Sequence, residues 1–287
     1  MISRRTFVIN SGLATAAVLA MPSLAFSMNK KDIGLQLYTL RDEISKDVKS
    51  TLKKVAAAGY TNVETYGFSI KDQFWGISPI ELKKILDENK LKAVSGHYNL
   101  GSFLYDGNTA ELVAAIEAAK VLKSEYLTIP WVDEPFRKDF KTIVSRLNEA
   151  AKMCKASGLK LAYHNHDFEF QKHDGITGYE ILLKETDKDL VYFELDLYWV
   201  VRSGNDPLKL FRENSGRFKM WHVKDMDKLN QALNTEVGLG SIDFKTIFKE
   251  AKQSGMKHFF VEQENNYNPD SFESIKTSCD FISKELL

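Results

Sequence analysis

The most constraining feature of this 287-residue sequence is a short apolar or β-branched run that recurs eight times at nearly even spacing. The runs begin roughly 30 residues apart, which is the length of one strand followed by one helix. Parallel strands need such helical crossovers to return the chain to the same edge of a sheet. The predicted strands are Ile33–Tyr38, Asn62–Thr65, Ala93–His97, Tyr126–Ile129, Lys160–His164, Val191–Asp196, Met220–Val223 and His258–Glu262. The pattern predicts an α/β protein of eight strand-helix units.

Helical stretches separate these runs and carry boundary signals. The segment Ser78-Pro79-Ile80-Glu81 combines an N-cap serine, a proline at the first helical position and a glutamate three residues after the cap. Glycine follows a helix and precedes a strand at Gly59, Gly158 and Gly255. An open doubly wound sheet is the alternative, but it usually has a GxGxxG turn after its first strand, which is absent here. We predict a single-domain (β/α)8 barrel over residues 30–287.

The first 27 residues have the composition of a targeting segment. Ser3-Arg4-Arg5-Thr6-Phe7 precedes a mildly apolar run, and small residues near Ala25 stand at the usual cleavage spacing. The pattern resembles a twin-arginine signal peptide, with a general secretory signal or a retained anchor as alternatives. Polar residues such as Asn10 make the run a poor membrane span. We expect an exported, periplasmic protein with no membrane association once residues 1–27 are removed.

Charge and cysteine content exclude several classes of partner. Lys plus Arg and Asp plus Glu both number 39, so no excess positive charge is available to hold nucleic acid or an acidic membrane. A neutral small molecule suits this balance better. The two cysteines, Cys154 and Cys279, are too far apart for a zinc ribbon or a disulfide framework. One bridge between them is an alternative in an oxidising compartment, although Cys154 falls in a helical pattern typical of core.

Polar side chains collect at the ends of the predicted strands. Chemistry in barrels is found there, because the loops that follow the strands surround the mouth. Any one such histidine or carboxylate could be structural, but four consecutive strands share the pattern, which indicates a metal or acid–base site. The residues are Glu64, His97, His164, Asn165, His166, Glu194, Asp196, His222, Lys224, Asp225, Glu262 and Glu264.

Five segments, in order and spacing, resemble the xylose-isomerase-like barrel superfamily of sugar (phosphate) isomerases and epimerases. They are Leu161–His166, Glu194–Trp199, Trp221–Asp225, Gly238–Phe244 and Val261–Glu264, and the resemblance spans about residues 32–285. It implies one divalent ion, often manganese, with ligands in a Glu, Asp, His, Glu pattern from strands five to eight. Asp196, His222 and Glu262 fall on the last three positions.

The first ligand position departs from the pattern, since His164 stands where relatives commonly have glutamate. Imidazole also ligates manganese, iron, cobalt and zinc. We therefore predict His164, Asp196, His222 and Glu262 as ligands of one divalent ion, with Mn²⁺ first and Zn²⁺, Co²⁺, Fe²⁺ or Mg²⁺ as alternatives. Ketose 3-epimerases of the superfamily use two metal-bound glutamates as an acid–base pair, so a histidine here implies that imidazole moves the proton or that the reaction differs.

The resemblance implies an isomerase or epimerase that acts on a sugar or keto-sugar through a metal-stabilised enediolate. Glu262 is the predicted base, with His164 or Glu64 as its partner, and Lys224 would stabilise the developing oxyanion. The predicted substrate contacts are His97, His166, Glu194 and Trp199.

Other activities on the same fold stay open at this stage. A dehydratase similar to the inosose dehydratases would use the same chemistry but expel a β-hydroxyl. An apurinic endonuclease would need a metal cluster and a basic face, and Trp199 replaces the histidine of its Asp-x-x-His pattern. An exported sugar-binding protein without turnover is the third alternative. Export favours an unphosphorylated sugar, and the sequence leaves homo-oligomer formation open.

Overall fold

Eight parallel strands form a ring in the computed structural model, which describes residues 32–287. Their bounds are β1 (Gly34–Gln36), β2 (Asn62–Thr65), β3 (Lys92–Gly96), β4 (Tyr126–Ile129), β5 (Lys160–His164), β6 (Val191–Asp196), β7 (Phe218–Val223) and β8 (His258–Val261). Strand β1 pairs with both β2 and β8. An isolated parallel bridge between His97 and Thr128 joins the β3 and β4 sides. The predicted (β/α)8 barrel is confirmed.

Strand β3 ends one residue earlier than the sequence predicts, at Gly96, and two further strands, β1 and β8, also end early. Strand β1 stops at Gln36 because its side chain accepts a hydrogen bond from the backbone N–H of Tyr38, at 3.0 Å, and caps the 3-10 helix Leu37–Leu40. Strand β8 stops at Val261, which leaves Glu262 as the first residue of the following loop. Both changes place polar side chains at the barrel mouth.

Helices follow the strands and cover the outside of the ring. At α3 the side chain of Ser78 accepts from the N–H of Glu81 at 3.2 Å and Pro79 opens the helix, as predicted. The helices are α1 (Arg41–Ile44), α2 (Val48–Ala57), α3 (Pro79–Glu88), α4 (Gly101–Asp106), α5 (Ala110–Leu122), α6 (Phe140–Ala156), α7 (Gly178–Glu185), α8 (Leu197–Arg202), α9 (Pro207–Glu213), α10 (Phe244–Lys249), α11 (Ala251–Ser254) and α12 (Ser271–Glu285). Short 3-10 turns also occur at Glu134–Phe136 and Phe168–Phe170.

The strands bury different residues on their two faces. Outward-facing side chains such as Trp221 and Val223 join the large apolar core shared with the helices. A separate small cluster comprises Tyr126, Ala162, Met220 and Phe260. Because side chains alternate along a strand, the residues two positions after Ala162, Met220 and Phe260 face the same side. The apolar cluster therefore lies beneath a polar layer at the mouth.

Several sequence predictions concern segments away from the mouth. The targeting segment predicted for residues 1–27 lies outside the described residues. From residue 32 onward, none of the helices combines the length and apolar character needed to cross a bilayer. Cys154 and Cys279 are both buried as free thiols, so no bridge joins them, and Cys154 belongs to the core as predicted.

Candidate functional site

A cavity of about 550 Å³ opens at the carboxyl ends of the barrel strands. Strand register brings the predicted site residues together in pairs, since His164 lies beside Glu194 across β5 and β6, and Asp196 lies beside His222 across β6 and β7. The cavity is lined by Tyr38, Tyr66, Gly67, His97, Asn99, Pro130, Trp131, His164, His166, Asp167, Trp199, Glu262 and Glu264.

His222 is the centre of the polar layer and is fully buried. Its Nδ1 lies 3.0 Å from Oε2 of Glu262 and 4.0 Å from Oδ2 of Asp196. Its Nε2 lies 2.7 Å from Oε2 of Glu64 and 3.2 Å from Oε2 of Glu194. The two ring nitrogens therefore face two different groups of carboxylates.

The first group comprises Asp196, His222 and Glu262, which we call the first ligand set. One ligand atom from each lies within 4.8 Å of the others. The Oδ1 atom of Asp196 accepts from the N–H of Trp199 at 3.1 Å and caps α8, whereas its buried Oδ2 has no hydrogen-bond partner. The side-chain oxygen of Asn165 accepts from the N–H of Asp196 at 3.1 Å, which fixes the backbone beside the set.

The second group comprises His97, His164, Glu194 and His222, which we call the second ligand set. Oε2 of Glu194 lies 2.7 Å from Nε2 of His97 and 3.1 Å from Nδ1 of His164. The sequence grouped His164 with the first ligand set, and predicted His97 and Glu194 as substrate contacts. The structure brings all three into one imidazole-rich cluster.

These donors fit a divalent cation. Buried carboxylate oxygens without a hydrogen-bond partner are Oε1 of Glu64, Oε1 of Glu194 and Oδ2 of Asp196. Burying unpaired anionic oxygens is costly, and a bound cation would satisfy them. Mixed imidazole and carboxylate ligands suit manganese, iron, cobalt and zinc.

Lys224 is a buried cation beside the first ligand set. Its Nζ lies 3.3 Å from Oε2 of Glu262 and also contacts Oε1 of Glu264. Burial opposes the charge, but these two carboxylates outweigh burial and raise the pKa of Lys224 above its ordinary value. In return, and against the effect of burial, Lys224 and His222 hold the pKa of Glu262 well below its usual range. Glu262 is therefore ionised.

The cavity histidines differ in charge. Burial would lower the pKa of His97, but Glu64 and Glu194 outweigh it and raise that pKa to about 9. Burial, with Lys224 as the next cause, lowers the pKa of His166 to about 3. His166 is thus uncharged near neutral pH, and its Nδ1 has no hydrogen-bond partner. His97 is protonated under the same conditions.

Sequence reasoning missed two buried residues that support the site. Gln36 donates from Nε2 to Oε2 of Glu64 at 2.7 Å, and its position at the end of β1 was the available signal. Glu169 accepts from the N–H of His166 at 2.9 Å and is hydrogen-bonded to the hydroxyl of Tyr163 at 2.8 Å. Glu169 stands in a turn after β5, so no strand-end rule identifies it.

The aromatic rim of the cavity was also missed, apart from Trp199. Tyr38 is 39% exposed and Trp131 is 41% exposed, although both are large apolar side chains. Trp131 lies in the loop after β4, and the end of that strand carries no charged residue that would predict a site there. Aromatic rings beside polar groups suit ligands that have both C–H and hydroxyl surfaces.

Sequence comparison gives one family match and a curated relative. The profile described as xylose isomerase-like TIM barrel matches residues 52–285. An inosose dehydratase of Clostridium perfringens is 31% identical over 147 residues, which cover 45% of this chain and 48% of that protein. The chain thus spans about half the length of that relative in the match.

Structure comparison gives two solved proteins from Parabacteroides distasonis, each named a sugar phosphate isomerase/epimerase. The first is 27% identical with a TM-score of 0.78 and covers 93% of this chain and 98% of its own. The second is 31% identical with a TM-score of 0.77 and covers 88% of this chain and 98% of its own. The predicted resemblance is confirmed at the level of fold and sequence.

Proposed function

The chain belongs to the xylose isomerase-like TIM barrel family, and from that premise we propose that it is a metal-dependent lyase that dehydrates a keto-sugar or keto-inositol. The similarity to an inosose dehydratase supports this alternative over the isomerase or epimerase that the sequence predicted first. Isomerisation stays the second candidate, because the two solved relatives carry that name.

One observation carries the proposal: the cavity wall offers an ionised carboxylate, Glu262, and a protonated imidazole, His97. Elimination of water needs both a base and an acid. In the proposed step Glu262 takes the proton from the carbon beside the carbonyl, and the C–H electrons form a carbon–carbon double bond. The C–O bond to the β-hydroxyl then breaks, and the proton of His97 joins the leaving oxygen, which releases water.

Asp196, His222 and Glu262 would hold the divalent ion, as the first ligand set fits one. A bound ion would polarise the substrate carbonyl and so acidify the neighbouring C–H bond. Glu262 has two carboxylate oxygens, so it can ligate through one and accept a proton through the other. Lys224, at 3.3 Å, keeps Glu262 ionised before the proton moves.

The remaining cavity residues would bind and orient the ring. Uncharged His166 lines the cavity and has a buried Nδ1 without a hydrogen-bond partner, and in the proposal this nitrogen accepts from a substrate hydroxyl. Trp199 and Trp131 flank His166, with ring centroids 5.6 and 4.9 Å from it, and offer apolar faces to C–H groups. These positions keep the predicted substrate roles of His166 and Trp199 in the proposal.

The reaction can be tested in D₂O with a panel of inososes and unphosphorylated keto-sugars. We expect a product lighter than the substrate by one water, and we expect its formation to be lost in His222→Ala together with the bound ion. His97→Gln should stop water loss while deuterium still exchanges into the carbon beside the carbonyl. Deuterium in an isomerised or epimerised product without water loss would favour the second candidate. Binding without exchange or turnover would favour a sugar-binding protein.

Export through residues 1–27 is part of the proposal, because it favours unphosphorylated substrates. The test is cell fractionation of the full chain and of an Arg4→Lys, Arg5→Lys double variant. We expect the wild-type chain in the periplasm and the variant in the cytoplasm. Equal periplasmic yields would exclude the twin-arginine route.

A further inference from the structure

We propose that the barrel mouth holds a second metal site, formed by His97, His164, Glu194 and Nε2 of His222, which takes zinc-like ions and competes with the first ligand set for His222. The proposal starts from the surroundings of Glu194. Its Oε2 lies 2.7 Å from His97 Nε2, 3.1 Å from His164 Nδ1 and 3.2 Å from His222 Nε2. Ligand atoms about 2.0–2.2 Å from one zinc ion stand about 3–3.5 Å apart, so this spacing is close to that of a ligand shell.

The three imidazoles themselves are packed together. The ring centroids of His97 and His222 are 5.2 Å apart, those of His164 and His222 are 4.5 Å apart, and those of His97 and His164 are 4.8 Å apart. Ion pairing explains one contact of Glu194 with each ring, but it leaves the buried Oε1 of Glu194 without any partner. A metal ion would draw on all three rings and both carboxylate oxygens.

Competition follows from the chemistry of one side chain. His222 directs Nδ1 to Glu262, and its Nε2 faces both Glu64 and Glu194. An ion in the second set would take the place of the contact between Nε2 and Glu64. A neutral imidazole has only one unprotonated ring nitrogen. His222 can therefore ligate an ion in the first set or in the second set, and occupation of one set weakens the other.

Ligand type gives the two sets different metal preferences. The first set offers two carboxylates and one imidazole, a combination that suits manganese and magnesium. The second set offers three imidazoles and one carboxylate, which suits zinc and cobalt. We expect manganese to enter the first set and zinc to enter the second.

Zinc in the second set would also block turnover, a consequence that rests on the proposed function. His97 lines the cavity and is the proposed proton donor to the leaving hydroxyl. A ring nitrogen bound to zinc has no proton to give. The zinc form should therefore bind its ion tightly and fail to release water from the substrate.

The test is a titration of the metal-free chain with Mn²⁺ and with Zn²⁺, followed by equilibrium dialysis and elemental analysis. His97→Asn removes a ligand from the second set only, and its side chain is partly exposed, so the fold should tolerate the change. Asp196→Asn is the matched variant in the first set, because asparagine can still cap α8 through the N–H of Trp199. The absorption spectrum of bound Co²⁺, compared between the wild-type chain and Glu194→Gln, is a second test of the second ligand set. Circular dichroism checks that each variant folds.

We expect His97→Asn to weaken zinc binding at least about 10-fold while manganese binding changes much less, and Asp196→Asn to do the reverse. The wild-type chain should bind no more than one ion in total. Zinc binding that is insensitive to both His97→Asn and Glu194→Gln, or two ions bound at once, would overturn the inference. Manganese binding that depends on Asp196 would still support the proposed function in that case, whereas a chain that binds neither ion would refute both.

Discussion

The Nε2 atom of His222 lies 2.7 Å from Oε2 of Glu64, and this contact turns the opposite nitrogen, Nδ1, toward Glu262. Glu64 is completely buried, accepts from Gln36 and does not line the cavity. A carboxylate behind a metal-ligating histidine fixes which ring nitrogen binds the ion. The structure thus favours an orienting role for Glu64, which the sequence predicted as a proton-transfer partner.

Glu64→Gln should therefore weaken manganese binding by about 10- to 100-fold. The measurement is calorimetric titration of the metal-free variant beside the wild-type chain. Glu125→Gln is a suitable control, because Glu125 contacts His258 at the opposite end of the barrel, 3.1 Å away. An unchanged affinity in Glu64→Gln would show that His222 is oriented by its other contacts.

Lys224 is a buried cation that balances the negative charge of Glu262 and Glu264, and its removal should destabilise the fold. Lys224→Met would leave the buried Glu262 and the partly exposed Glu264 without their common partner. Breaking a buried ion pair by removing one partner typically costs about 3–5 kcal/mol. Urea unfolding of the metal-free protein should show a loss of this order. The double variant Lys224→Met, Glu264→Gln should recover part of it, and added Mn²⁺ should recover more.

Near-equal unfolding free energies of Lys224→Met and the wild-type chain would contradict this account. They would mean that Glu262 takes up a proton at little cost when Lys224 is absent.

Glu169 predicts a pH dependence of stability that is separate from the metal site. Burial is the main cause that raises the pKa of Glu169 from 4.5 to about 8, against the hydrogen bonds that it accepts. Because its pKa is raised, Glu169 stays protonated in the fold at pH values where it would ionise in the unfolded chain. Its contribution to the free energy of unfolding is therefore complete below pH 4.5 and is lost as the pH rises to about 8. The slope from this group can reach about 1.4 kcal/mol per pH unit.

Glu169→Gln should remove that slope, because glutamine stays neutral at every pH. Melting temperatures of the metal-free proteins, measured from pH 5 to pH 9, should therefore fall more steeply for the wild-type chain than for the variant. Parallel curves would indicate that Glu169 is ionised in the fold and held by its two donors. Glu180→Gln controls for a general effect of the substitution, since Glu180 is an exposed helix-cap residue.

The sequence predicted the barrel because periodicity and spacing are local properties of the chain. Six of the ten predicted site residues belong to the ligand sets, and His222 belongs to both of them; the six are His97, His164, Glu194, Asp196, His222 and Glu262. Their division between the sets could not be predicted, because it depends on which ring nitrogen of His222 faces which carboxylate. That orientation is decided by Glu64, which contacts His222 from the end of β2, and by Gln36, which donates to Glu64 from the end of β1.

Site residues that lie outside the strand ends could not be predicted from the strand pattern either. Glu169 and Trp131 contribute to the site from turns, where no alternation rule states which way a side chain points. The glycine-rich segment Val237–Ser241 lies in the longest interval between predicted strands, and its sequence is compatible with either a loop over the mouth or an ordinary turn. The structure shows a turn fastened to Asp225, and the segment contributes no side chain to the cavity lining.

Asp225 is expected to be the main support of that turn. Its two carboxylate oxygens accept from four backbone N–H groups, those of Met226, Gly238, Gly240 and Ile242, at 2.8, 2.9, 3.0 and 3.2 Å. Asp225→Ala would leave several of these donors unsatisfied in a buried setting, at about 1–3 kcal/mol for each such group. We expect a loss of at least about 3 kcal/mol in unfolding free energy.

Hydrogen exchange distinguishes this local role from a general loss of stability. In Asp225→Ala the amides of Gly238 and Gly240 should exchange much faster, while amides in β4, on the far side of the ring, should change only with global stability. Asp225→Asn should be intermediate, because asparagine keeps one accepting oxygen. Gly240→Ala tests whether the turn needs the close packing of Gly240 against Asp225, since an added Cβ would lie 2.2 Å from Oδ1 of Asp225. If all four amides stayed protected in Asp225→Ala, the turn would be held by its own backbone and not by this carboxylate.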